Sequence, residues 1–139
     1  MRLLLSLLLL VLTVPAVAQT ERRHDAQGRF VGRSETRDGS TRFYDARGRL
    51  TGRAESRGDG TRFYDPQGRF TGRSEARDSG GSARHYNAQG RSTGRGETSG
   101  DTTRFYDAQG RYKGRTERRD GITRSYDAQG RSTGRTQWR

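Results

Sequence analysis

Apolar residues are concentrated at the start of the chain: Leu3 to Val14 is interrupted only by Ser6 and Thr13, and no comparable run follows. After Gln19 the apolar positions come singly or in pairs within a background of Arg, Gly, Asp, Thr and Ser. Segments such as Thr61-Arg62-Phe63-Tyr64 and Arg69-Phe70-Thr71-Gly72-Arg73-Ser74-Glu75 are short, rich in Thr and aromatics, and bounded by turn residues, which predicts strands. Alternation along the second segment puts Phe70, Gly72, Ser74 and Ala76 on one face. Arg69, Thr71, Arg73, Glu75 and Arg77 take the other, so one face is small and partly aromatic and the other charged.

The pattern is a repeat. A unit close to T-R-F-Y-D-A-Q-G-R-F-T-G-R-S-E-x-R-x-G recurs with its turn acid at Asp25, Asp45, Asp65, Asn87, Asp107 and Asp127, spaced 20, 20, 22, 20 and 20. The two extra residues fall within Asp78-Ser79-Gly80-Gly81-Ser82, a composition suited to a longer loop. The first copy is incomplete and has Arg22-Arg23-His24 where others have Arg-Phe-Tyr.

Two turns punctuate each unit. Asp45-Ala46-Arg47-Gly48 and Asp65-Pro66-Gln67-Gly68 carry the Asp and Gly that a type I turn prefers, with Pro66 where its φ is already set. Asp38-Gly39, Gly58-Asp59, Gly100-Asp101 and Asp120-Gly121 are two-residue hairpin signals. With the loop at Asp38-Gly39, Glu35 falls opposite Arg42 and Arg33 opposite Tyr44. The same count pairs Glu55 with Arg62, Glu97 with Arg104, Glu117 with Arg124 and, across the longer loop, Glu75 with Arg84. Exposed pairs of this kind contribute about 0.2–1 kcal/mol each. A two-residue loop at the other turn would set Phe43 beside Leu50, and a three-residue loop with a Gly bulge would set Tyr44 there.

The apolar start changes the picture of compartment. Met1-Arg2, the short apolar run and the Ala16-Val17-Ala18 site describe a secretory signal peptide over 1–18, followed by a hairpin-repeat region over 19–139. The precursor carries +12, and Arg2 is the only charge in the leader, which leaves +11 after cleavage. Apart from Lys113, the remaining basic residues are all Arg. The chain has no Cys, so an oxidising compartment adds no covalent staple. Beyond the leader the large aliphatics are Val31, Leu50 and Ile122, joined by five Phe, six Tyr and Trp138. That composition excludes a conventional globular core and on its own points towards disorder. Local turn chemistry points the other way. The expected fold is all-β: a single-layer antiparallel β-hairpin repeat sheet or short solenoid of about six ~20-residue repeats after a helical signal peptide.

The segment Phe43-Tyr44-Asp45-Ala46-Arg47-Gly48-Arg49-Leu50 resembles the YD repeat of bacterial Rhs-type surface and toxin proteins. The likeness spans about seven of every twenty residues and recurs in each copy, although the first lacks the Tyr. In that family hairpin repeats build long sheets that wrap into a shell around a toxic C-terminal domain. The resemblance therefore implies β-hairpin repeats outside the cytoplasm. The G-R-x-E segment is not part of the YD pattern, and a chain this short is not expected to enclose anything, so toxin delivery is not implied.

Chemistry adds little. His24 and His85 stand at Tyr and Phe places of the repeat, and no Cys or second His completes a ligand cluster, so no catalytic residue, metal site or cofactor is expected. The G-G-x-G-x-D-x-U-x pattern of a calcium β-roll is absent. Arg57-Gly58-Asp59 spells an attachment tripeptide but is also what its turn requires. A membrane-spanning barrel is not expected, because the strands are short and neither face is apolar.

What remains is a basic face. On a flat sheet Arg33, Arg53, Arg73, Arg95, Arg115 and Arg135 form a column at about 9.5 Å spacing, with Tyr44, Tyr64, Tyr86, Tyr106 and Tyr126 between them. The first expectation is a periplasmic or secreted non-enzymatic protein. Through these residues it would bind anionic polysaccharide, lipopolysaccharide or extracellular nucleic acid. The alternatives are a structural protein that self-associates through open sheet edges, and a disordered basic secreted chain.

Overall fold

Turn chemistry decides the local structure. In Asp45-Ala46-Arg47-Gly48 the Gly48 amide donates to the Asp45 carbonyl at 3.0 Å, closing a type I turn. The Asp45 side chain takes the amides left over: its Oδ1 accepts from Arg47 N and Arg49 N, both at 2.9 Å. Asp25, Asp65, Asn87, Asp107 and Asp127 repeat the pattern. At the opposite ends of the strands, Asp38 and Gly39 both have positive φ (50° and 76°), as a type I′ turn requires. In Gly58-Asp59 only the glycine does (57°), as in a type II′ turn. The longer third loop at this end uses the same side-chain device, since Asp78 Oδ1 accepts from Gly80 N and Ser82 N at 3.0 Å.

A computed structural model describes residues 18–138, so the signal-peptide expectation lies outside the described residues except at Ala18. Twelve strands run between the turns: β1 (Gln19–Asp25), β2 (Phe30–Arg37), β3 (Ser40–Asp45), β4 (Leu50–Arg57), β5 (Gly60–Tyr64) and β6 (Phe70–Ala76). They continue as β7 (Ala83–Asn87), β8 (Ser92–Ser99), β9 (Thr102–Asp107), β10 (Tyr112–Arg119), β11 (Ile122–Asp127) and β12 (Ser132–Trp138). The register derived from the turns holds in all five cases. Glu35 pairs with Arg42, Glu55 with Arg62, Glu75 with Arg84, Glu97 with Arg104 and Glu117 with Arg124.

The sheet is not the open single layer or solenoid expected from the sequence. Each strand pairs antiparallel with its chain neighbours, and β12 pairs with β1, closing a twelve-strand barrel. Stagger explains the closure. Ser34 lies opposite Phe43, and Phe43 opposite Gly52, which is two residues short of Ala54, the repeat counterpart of Ser34. Taken over six repeats, that step gives a shear of twelve, matching the strand number. The combination fits an ordinary barrel tilt, with the backbone roughly 11 Å from the axis. The seam between β12 and β1 makes the same step, with Thr136 opposite Arg23 and Arg23 opposite Gly32. The incomplete first copy therefore acts as the partner strand of the last. Closure also means that this short chain encloses a lumen, contrary to what its length suggested.

A bulge sets the two walls. Tyr44 faces Leu50 while Phe43 faces Gly52, which leaves Thr51 over. The same shift pairs Tyr64 with Phe70. This resolves the open question in favour of Tyr44 beside Leu50 and corrects the simple alternation. Phe70 shares a wall with Tyr64 and Arg73, not with Gly72 and Ser74. The right-handed twist of strands, taken with the direction of the stagger, turns the Gly52/Ala54 wall inward. Ala54 is 5 % and Ser34 4 % exposed. Rungs of the inner wall read Thr36–Thr41–Ala54–Phe63–Gly72–Asn87, with a 2.8 Å hydroxyl bond between the two threonines. Backbones approach closely here. A Cβ on Gly52 would fall 2.7 Å from the Tyr64 carbonyl oxygen. Ala54 is the sole buried hydrophobic side chain among the described residues, so the sheet's own hydrogen bonds hold the fold.

Candidate functional site

The outer wall carries the charge. Its rungs cross five strands in a fixed order, Glu35–Arg42–Arg53–Tyr64–Phe70 and Glu75–Arg84–Arg95–Tyr106–Tyr112 among them. The rungs run unbroken across the seam as Glu117–Arg124–Arg135–His24–Phe30 and Gln137–Arg22–Arg33–Tyr44–Leu50. The predicted flat column of arginines is thus a belt around the barrel.

The structure brings the predicted Arg and Tyr residues together as pairs. The guanidinium of Arg33 lies 4.4 Å from the centroid of Tyr44. Arg53 with Tyr64, Arg73 with Tyr86, Arg95 with Tyr106 and Arg115 with Tyr126 match it at 4.5–4.7 Å. The same arginines point Nε at an acid two residues along their own strand: Arg33 to Glu35 at 2.9 Å, and Arg73 to Glu75, Arg95 to Glu97 and Arg115 to Glu117 at 2.7 Å. Arg53 and Glu55 lie 3.2 Å apart. Each of these arginines is sandwiched by an anion and a ring. Arg135 differs, being exposed beside His24, with Gln137 where the repeat has Glu.

Facing residues and ion pairs therefore part company. Glu35 faces Arg42 but bonds Arg33, because residues i and i+2 of a strand share a wall and Tyr44 holds the Arg33 guanidinium beside it. Arg42, Arg62, Arg84, Arg104 and Arg124 are left exposed. The register gives each of these five a facing acid, yet among the described residues none of them makes an ion pair. The clue to this was their place opposite a second arginine, as in Arg42 opposite Arg53.

The aromatic ends of the rungs are half-covered. Tyr64 meets Phe70 edge-on at 6.0 Å, Tyr106 meets Tyr112 at 5.9 Å, and His24 meets Phe30 at 5.9 Å. A hollow of about 1100 Å³ beside β4, β5 and β6 includes Ser40, Glu55, Gly60, Tyr64, Phe70 and Ser74 in its lining. On the turn rim, Asp45 is held below the usual carboxylate range by the Arg49 backbone amide and then by the Arg49 guanidinium at 2.7 Å. Asp107 is held down in the same order by Arg111. His85 sits on the inner wall at a Phe position, opposite Ser74 and Gly94. Among the described residues no three His, Cys, Asp or Glu side chains gather as a metal site, and no helix is long and apolar enough to cross a membrane.

No protein-family model and no curated protein matches the chain.

Proposed function

We propose that the chain is an exported, non-enzymatic β-repeat barrel that binds anionic envelope polymers through its outer Arg/Tyr belt. The observation that carries the reading is the repeated rung, which sets one exposed arginine beside one clamped arginine and a tyrosine ring around the circumference. The exposed guanidiniums of Arg42, Arg62, Arg84, Arg104 and Arg124 supply long-range attraction and bidentate contacts to phosphate, sulfate or carboxylate. Arg33, Arg53, Arg73, Arg95 and Arg115 supply pre-oriented charge, and Arg135 adds an exposed one. Tyr44, Tyr64, Tyr86, Tyr106 and Tyr126 offer ring faces to sugars or bases. Charge along the outer wall suits an aqueous compartment, since a bilayer-spanning barrel needs an apolar band there. The YD-like turn at Asp45 to Gly48 supports placing the chain among hairpin repeats that work outside the cytoplasm.

Retention on heparin and lipopolysaccharide resins tests the reading. The mature chain is expected to bind at low ionic strength and elute with moderate salt, as screening shortens the reach of exposed charge to about 8 Å. Replacing the five exposed arginines by Gln should abolish retention. Unchanged retention in that variant, or no retention of the parent chain at low salt, overturns the proposal.

A further inference from the structure

The repeat provides an internal control for what a plain wall requires, and the lumen departs from it most densely near the seam. At the inner position that the middle repeats fill with Phe43, Phe63, His85 and Phe105, the seam strand β1 has Arg23, and β11, two strands away, has Ser125. Where other repeats have Thr36, Ser56, Ala76 or Thr98, β10 has Arg118 and β12 has Trp138. Where they have Thr41, Thr61 or Thr103, β1 has Glu21. Four of these departures fall on two adjacent rungs, and Ser125 lies on a third, Thr116–Ser125–Gly134. The first of the two runs Arg118–Thr123–Thr136–Arg23, and the next begins Trp138–Glu21–Ser34.

They do not clasp the seam. Arg118 lies 5.4 Å from the Trp138 ring, both on the β12 side, and Arg23 lies 5.8 Å from the Phe43 ring, both on the β1 side. Glu21 accepts from Ser34 Oγ at 3.3 Å, again within the β1 side. Arg23 Nε and Trp138 Nε1 are screened from solvent and have no partner among the described residues, and both are pure donors. Ser125, on the rung beyond, removes a further ring from this side of the lumen. The result is a strip of the inner wall with two cations against one acid, two aromatic faces and two donors that lack a partner among the described residues.

We infer that this strip is a binding site inside the lumen for an amphipathic organic anion. Its carboxylate or sulfonate would meet Arg23, Arg118 and the Trp138 N–H, and its apolar body would lie against the Trp138 and Phe43 rings. The site is separate from the outer belt.

Trp138 is the sole tryptophan, so it reports on its own site. The experiment titrates the mature chain with 1-anilinonaphthalene-8-sulfonate and with neutral N-phenyl-1-naphthylamine, which has the same body without the charge. The expected result is one sulfonate probe per chain, energy transfer from Trp138, and at least tenfold weaker binding of the neutral probe. Arg23→Phe and Arg118→Thr each restore the residue type that the repeat already tolerates there, and each should weaken the sulfonate probe at least tenfold. Arg47→Gln, on the opposite rim, should change nothing. Circular dichroism of each variant verifies the strands. If Arg23→Phe or Arg118→Thr does not fold, its place is taken by Arg23→Lys or Arg118→Lys, which should keep anion binding. Equal affinity for the two probes, binding without transfer from Trp138, or unaltered binding in the folded Arg23→Phe and Arg118→Thr variants overturns the inference.

Discussion

Gly52 and Arg53 are chain neighbours on opposite walls of β4, and they answer to different demands. Gly52 lies so near the backbone of β5 that a methyl group has nowhere to go. Arg53 reaches outward to Glu55 and Tyr64, with its side chain 42 % exposed. The inner wall and the turns carry the geometry of the fold; the outer wall carries charge that the fold tolerates. The residue after each Asp-type turn makes the same point, for the outer position held by Leu50 and Phe70 is Ser92 or Ser132 elsewhere. Replacing the apolar residue there leaves the register intact.

Substitutions on the two walls should therefore differ sharply. The largest effect belongs to Gly52→Ala, which forces β4 and β5 apart; a destabilisation on the order of 2–3 kcal/mol is expected in thermal or urea melts. A melting temperature within a degree of the parent would contradict the inner-wall geometry.

A smaller effect belongs to the turn carboxylates. Asp45 and Asp107 have folded-state pKa values depressed by backbone amides first and guanidiniums second. Their contribution is therefore complete above the free-aspartate value of about 3.9 and is lost as pH falls through the lower folded value. Melting temperature should stay level from about pH 7 to 5 and drop below about 4. Asn87 makes the same two amide bonds without a charge, at 3.0 and 2.9 Å. Asp45→Asn should accordingly cost little at neutral pH and should flatten the acid limb. A variant with Asp25, Asp45, Asp65, Asp107 and Asp127 changed to Asn that still loses stability between pH 4 and 2 as the parent does would place the acid sensitivity elsewhere.

The smallest effect is expected outside. Arg53→Gln removes a half-exposed ion pair and a cation–π contact, together about 1 kcal/mol or less. A shift in melting temperature as large as that of Gly52→Ala would erase the distinction between the walls.

The sequence made the hairpins and their register legible, because turn types follow from local residues and because Glu75 still meets Arg84 across the two-residue insertion. Wall assignment was only partly legible. Strict alternation put Phe70 with Gly72, but the leftover residue at Thr71 reverses it, and a bulge leaves no mark on a two-residue pattern. Closure was not legible. It depends on a two-residue stagger summed over six repeats, a property of pairing geometry and not of any one residue. The belt of Arg and Tyr was found as a set, while its internal pairing was not, since Glu35 chooses its strand neighbour over the arginine it faces. The lumen strip did leave a signal in the form of breaks in the repeat at Glu21, Arg23, Arg118, Ser125 and Trp138. Read along the chain they look like drift, and only the seam brings them together.

Everything rests on the seam between β1 and β12, and the chain's lack of Cys allows it to be tested cleanly. Arg22 and Gln137 are Cα partners across the seam on the outer wall. In the double variant Arg22→Cys, Gln137→Cys, mild oxidation of dilute protein should give an intramolecular disulfide in a monomer, seen by mass spectrometry of the intact and digested chain. Pairs at this position meet the roughly 5–6 Å Cα separation that a disulfide needs. Free thiols, or bridges found only between chains, would mean that the ribbon stays open and that the barrel account is wrong.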